Sequence, residues 1–172
     1  AMKRFLNPIA ILAIVWSAVQ LYWAFFGMLH VFIARPLHLS FALGIVFLTK
    51  PARKGGHVGL LDYLFAAVAM GIALLYLAEW NFLNERIRDV DPVPLRYIIV
   101  GPIYIFLTIE ASRRYLGWGV TSVAVVALAY NFLGHLIPGA LGHRVIQFPS
   151  FVEFQILSVE GLLGIPLGVS AE

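Results

Sequence analysis

Residues 5–34 read FLNPIAILAIVWSAVQLYWAFFGMLHVFIA, and from Phe5 to Ala34 the chain carries no formal charge. A helix that crosses a bilayer needs about 20 predominantly apolar residues. This stretch exceeds one span, and Gly27 is its natural break, which places a first span at 9–26. Lys3 and Arg4 ahead of it resemble the basic start of a signal peptide. The apolar run is too long for a signal core, however, and no small-x-small cleavage site follows, so it reads as a retained helix.

The rest of the chain agrees with that opening. Of 172 residues, 61% are hydrophobic and 12% charged, about half the charge of an ordinary soluble domain. Mean hydropathy is +0.89. A soluble enzyme of this size would cover itself with more polar groups. The twelve Lys and Arg are scattered between apolar runs and form no stripe for a nucleic acid, so a pI near 9.4 does not imply one. With no cysteine, disulfides, Fe–S clusters and Cys-based zinc sites are excluded.

Four more spans follow. The second, 36–49, is short; it borrows residues before Pro36, with Arg35 snorkelling outward, and ends at the basic turn Lys50-Pro51-Ala52-Arg53-Lys54-Gly55-Gly56. The third is 60–78. The fourth is 95–112, and Gly101-Pro102 within it predicts a kink or a broken helix. The fifth is 118–137, stopped by Pro138-Gly139. Residues 1–137 thus form an all-α transmembrane domain, a bundle of about five spans, and 138–172 a separate segment. Within that segment 148–159 is apolar but too short and too polar to span, which predicts a short helix lying in the membrane interface.

Lys3, Arg4, Lys50, Arg53, Lys54, Arg113 and Arg114 fall on one side of this arrangement. Arg35, Arg86, Arg88, Arg96 and Arg144 fall on the other, among acidic residues. Seven against five, with the seven tight against helix ends, predicts a cytoplasmic N-terminus and an outside C-terminus. Tyr22, Trp23, Tyr76, Trp80 and Tyr130 lie where helices leave the hydrocarbon, as interfacial aromatics do.

Ionisable residues in or near spans are the candidates for function. Asp62 sits in the first turn of the third span, where a carboxylate suits the helix dipole. Glu110 lies near the end of the fourth span, with Arg113 and Arg114 at i+3 and i+4 positioned to neutralise it. The simple reading is a structural ion-pair cluster; the sharper one is a proton or sodium site. His30, His38, His135 and His143 map to the outer side. A haem anchor would need two such residues on facing helices, which leaves a haem- or quinone-binding anchor as an alternative. An independent small transporter is another, with the Gly101-Pro102 break in its favour and the lack of a mid-span carboxylate against it. GxSxG, HExxH and GxxxxGK[ST] are absent, which points away from an enzyme.

Three strings carry a resemblance. They are 109–117, IEASRRYLG; the pair Gly134-His135-Leu136-Ile137-Pro138-Gly139 with Gly142-His143-Arg144; and 160–171, EGLLGIPLGVSA. Together with Arg35-Pro36-Leu37-His38-Leu39 and Leu61-Asp62-Tyr63, they resemble the N-terminal, small-subunit-like (Q-type) region of fused TRAP permeases. These are the tripartite ATP-independent periplasmic transporters, here of the type associated with TAXI binding proteins. The resemblance covers most of the chain.

It implies a scaffold that supports sodium-coupled uptake of organic acids in a bacterial or archaeal cytoplasmic membrane. The implied partners are the large (M-type) permease component, fused or separate, and a periplasmic TAXI-type binding protein. Substrate and sodium would be held by the large component, and this chain would need no cofactor or metal of its own. Asp62, Glu110, Arg113 and Arg114 would serve the scaffold. His135, Pro138, Gly139, Glu160, Gly161, Gly164, Pro166 and Gly168 would form the junction toward the large component, with the fifth span as connector. The family chain continues well past the Val-Ser-Ala string, whereas this sequence stops at Glu172.

Overall fold

The computed structural model describes residues 8–27, 30–52 and 56–171. Every regular element among them is helical. In chain order they are α1 (Pro8–Phe26), α2 (Val31–Thr49), α3 (Leu60–Ala78), α4 (Trp80–Glu85), α5 (Leu95–Leu116), α6 (Trp118–Leu133), α7 (Phe148–Ile156) and α8 (Ile165–Ala171). Two 3-10 turns, Gly134–Leu136 and Gly139–Leu141, connect α6 to α7. Five helices are long and apolar enough to cross a membrane: Ile9–Phe26, Val31–Thr49, Leu60–Ala78, Leu95–Leu116 and Trp118–Leu136.

The second span takes in residues before Pro36, as its short apolar run required, and does not start at that proline. It begins at Val31, and Pro36 lies inside the helix, buried. Proline removes one helical hydrogen bond; here packing by neighbouring helices carries the helix through it, as happens in membrane helices. Nor does Arg35 snorkel outward: its Nη1 donates to the carbonyl of Leu163, 3.0 Å away on the C-terminal segment.

The fourth span is longer than expected, and α5 runs unbroken through Gly101-Pro102 to Leu116. The ring of Pro102 is exposed, and the adjacent Gly101 faces α7 instead. The fifth span ends one residue short of its expected limit. Its last turn tightens to 3-10 at Gly134–Leu136 before Pro138. One residue, Gly117, joins α5 to α6. Its φ of +80° is in the left-handed region, where a glycine is needed to reverse the chain so tightly.

The bundle is organised around α2, which packs against α1, α3, α4, α5 and α8. Its Ile33, Ala34, Leu43 and Phe47 are almost wholly buried. In a bilayer the hydrophobic effect does not drive helices together, so close packing and polar ties must do so. A tie of that kind joins α2 to α5. The Tyr104 hydroxyl donates to the Pro36 carbonyl at 2.8 Å, so the 2.9 Å contact with Ser40 Oγ has the serine as donor. All three residues are buried. At the periphery, α6 packs mainly on α5 and leaves a broad apolar surface; Val123 and Val126 are 69% and 67% exposed. Such surface is ordinary where the solvent is lipid.

The C-terminal segment differs from a helix lying free in the interface. Phe151, Val152 and Ile156 of α7 are buried, and α7 packs on α5. The Ile156 carbonyl accepts a 2.6 Å hydrogen bond from Tyr76 on α3. Beyond α7 the chain turns back, and α8 returns to α2.

Candidate functional site

The charged residues of the described chain gather at the two ends of the bundle. The end of α2 and of α5 holds Lys50, Asp62, Glu110, Arg113 and Arg114. Here sequence proximity understates the arrangement, because Asp62 and Glu110 share one arginine. Arg114 Nη1 donates to Asp62 Oδ1 at 2.6 Å, and its Nε donates to Glu110 Oε1 at 2.8 Å. Nη1 also donates to the Lys50 carbonyl at 2.9 Å, which ties the end of α2 to the same group. Arg113 adds a two-pronged pair with Glu110, from Nε and Nη2, both at 2.7 Å.

Each of these residues is placed by its helix. Asp62 is the third residue of α3, so its Oδ2 accepts the Gly59 N–H at 2.9 Å and caps the helix start. The Ala52 N–H reaches Oδ1 at 3.3 Å. The Arg114 guanidinium lies against the rings of Phe47 and Phe65, at 4.8 and 5.5 Å, and its side chain is 1% exposed. An arginine buried to that degree is held only if paired, and both carboxylates pair with it. The arrangement locks α2, α3 and α5 together.

The opposite end contains a second charged cluster that the sequence did not reveal. Arg86 Nη1 pairs with Glu153 Oε1 at 2.6 Å, with side chains 4% and 7% exposed. Glu153 Oε1 also accepts the Asp89 N–H at 3.1 Å. Arg88 Nη1 pairs with Glu160 Oε2 at 2.9 Å. Glu160, with its hydrogen bond to Arg88, holds that guanidinium above its ordinary pKa. With the Arg35–Leu163 bond, three arginines from the α2 and α4–α5 regions grip α7 and the segment after it. Neither Arg86 nor Glu153 lies within a helical repeat of its partner. No local spacing could pair residues so far apart in the chain.

The junction candidates divide between two places. Glu160, Gly161 and Gly164 lie in the gripped segment, and Pro166 and Gly168 fall within α8. Glycine is required here by close approach. A side chain at Gly161 would overlap the Phe154 carbonyl, and one at Gly164 would come within 2.7 Å of the Glu160 carbonyl oxygen. Gly168 abuts the Arg35 guanidinium.

His135, Pro138 and Gly139 lie instead in the turn after α6, all exposed. His143 closes that turn. Its Nδ1 meets the Arg144 carbonyl at 2.7 Å and its Nε2 the Tyr130 carbonyl at 3.0 Å. Two carbonyl acceptors favour the doubly protonated ring, so its pKa is raised. The Tyr130 hydroxyl in turn donates to the Leu141 carbonyl.

Two other histidine candidates, His38 and His30, have local partners. His38 packs edge-on against Trp16 and its Nδ1 meets Gln20 Nε2 at 3.3 Å. His30 precedes α2 and packs against Trp80. Among the described residues, no group of three or more His, Cys, Asp or Glu is gathered to hold a metal ion. A groove of about 570 Å3 between α1, α2 and α3 is lined by apolar residues, among them Val15, Trp23, Leu37, Phe41 and Leu77. Lys3, Arg4, Arg53 and Lys54, which enter the expected orientation, lie outside the described residues. No protein-family model, curated protein or solved structure matches the chain.

Proposed function

We propose that this protein is the small membrane component of a TRAP-type secondary transporter, a scaffold with its N-terminus in the cytoplasm. It would support sodium-coupled uptake of organic acids that a periplasmic TAXI-type protein delivers. The observation that carries this reading is the 160–171 string, Glu-Gly-Leu-Leu-Gly-Ile-Pro-Leu-Gly-Val-Ser-Ala. It is the most specific of the strings shared with the fused permeases.

Two features support a scaffold rather than a transport pathway. The ionisable groups sit at helix ends, in ion pairs that fix helices to one another. The groove between α1, α2 and α3 offers apolar walls, suited to lipid tails and not to a carboxylate. The unbroken α5 weakens the reading as an independent transporter, since a broken helix was the feature in its favour.

Co-expression tests the proposal. An affinity-tagged chain should retain the large TRAP permease component through detergent purification. Loss of that component under conditions that keep both proteins folded would overturn the scaffold reading.

A further inference from the structure

We infer that the rim around the end of α5 selects anionic phospholipid headgroups through two cation–aromatic pairs, Lys50 with Tyr115 and Arg113 with Trp118. This inference rests on the membrane-crossing helices and not on the transporter reading.

The Lys50 ammonium lies 5.4 Å from the centre of the Tyr115 ring. The Arg113 guanidinium lies 5.7 Å from that of Trp118. Both rings are 67% exposed, and Lys50 is exposed as well. The pairs flank the α5–α6 hairpin, because residues 113 and 115 point to different sides of a helix. All four residues lie where α2 and α5 end and α6 begins, the depth at which a spanning helix meets headgroups. Exposed aromatics with an adjoining lysine or arginine are what that depth favours.

The charge at this end is unbalanced toward the lipid. Both nearby carboxylates are turned inward: Asp62 to Arg114, Gly59 and Ala52, and Glu110 to Arg113 and Arg114. Among the described residues no carboxylate lies within ion-pair distance of the Lys50 ammonium. Arg113 uses Nε and Nη2 on Glu110, and Nη1 has no hydrogen-bond partner among the described residues. Among the described residues, three cations against two carboxylates leave one net positive charge, carried by groups on the outer rim. A zwitterionic headgroup brings its own cation and gains little here. A headgroup with net negative charge gains about 1 kcal/mol for each nearby Lys or Arg, a factor of about five.

The test uses the full chain in detergent, with thermal unfolding read as lipid is added back. Phosphatidylglycerol should raise the unfolding temperature more than phosphatidylcholine of the same chains. Lys50→Gln should cut the apparent preference about fivefold, Lys50→Arg should restore it, and Trp118→Ala should weaken it. None of these side chains contributes to the buried core, so the variants stay folded. Arg113→Lys should bind phosphatidylglycerol as the wild type does. Equal stabilisation by the two lipids, or an undiminished preference in Lys50→Gln, would overturn the inference. So would equal stabilisation by glycerol phosphate, which would indicate a site for free phosphate instead of a lipid surface.

Discussion

Arg114 and Arg113 are neighbours in sequence and differ sharply in what they hold. Arg114 is 1% exposed, engages two carboxylates and a carbonyl, and packs against two phenyl rings. Arg113 is 28% exposed and engages one carboxylate. Removing one member of a buried pair costs about 3–5 kcal/mol, whereas a partly exposed pair contributes up to about 1 kcal/mol. Arg114→Gln should therefore lower the unfolding temperature in detergent far more than Arg113→Gln. Equal shifts would contradict the shared-arginine arrangement. The pairing of Glu110 with both arginines follows from helical spacing and was legible in the sequence. That Asp62 shares Arg114 was not, because the two residues belong to different helices whose packing no local spacing encodes.

His143 gives a pH-dependent counterpart. Its two carbonyl contacts raise the pKa, so the folded turn binds the proton more tightly than the unfolded chain does. The resulting stability is full below the ordinary imidazole value and is lost as pH rises through the elevated one. Protection against hydrogen exchange in the turn after α6, taken relative to the intrinsic rate at each pH, should fall over that interval, and His143→Ala should abolish the change. A pH-independent protection factor in the wild type would contradict it.

At the scale of elements, the spans themselves were legible because apolar runs of sufficient length are separated by charge and turn residues. Proline was read in part. The second span was expected to take in residues before Pro36, and α2 does start at Val31; Gly101-Pro102 was expected to kink or break the fourth span, and α5 does not break there. Packing from neighbouring helices supplies what the local chain lacks. The contact of α7 with α5 was not legible for a related reason: its apolar face is short for a span but suited to α5. Gly101 makes that fit possible, since a side chain there would come within 2.8 Å of Val152. Gly101→Leu should loosen α7, seen as faster exchange in 148–156 with α1 unchanged. The segment after α7 behaves similarly. Gly161→Ala meets fixed backbone and should cost about 1–3 kcal/mol, while Gly71→Ala, with open space around it, should be neutral or gain up to about 1 kcal/mol. Equal effects from the two would contradict the close approach at Gly161.

Across the whole molecule, two charged latches close opposite ends of an apolar bundle. One uses Asp62, Glu110, Arg113 and Arg114; the other uses Arg35, Arg86, Arg88, Glu153 and Glu160. Both leave the middle of the described spans to packing and to the Ser40–Tyr104–Pro36 tie. A bundle fixed at both ends is suited to a stationary role beside a moving partner. The most direct test of that role is uptake by sealed proteoliposomes under a sodium gradient. The scaffold account predicts no uptake of organic acid with this chain alone, and uptake when the large permease component and the binding protein are added. Substrate-dependent uptake by the chain alone would contradict it.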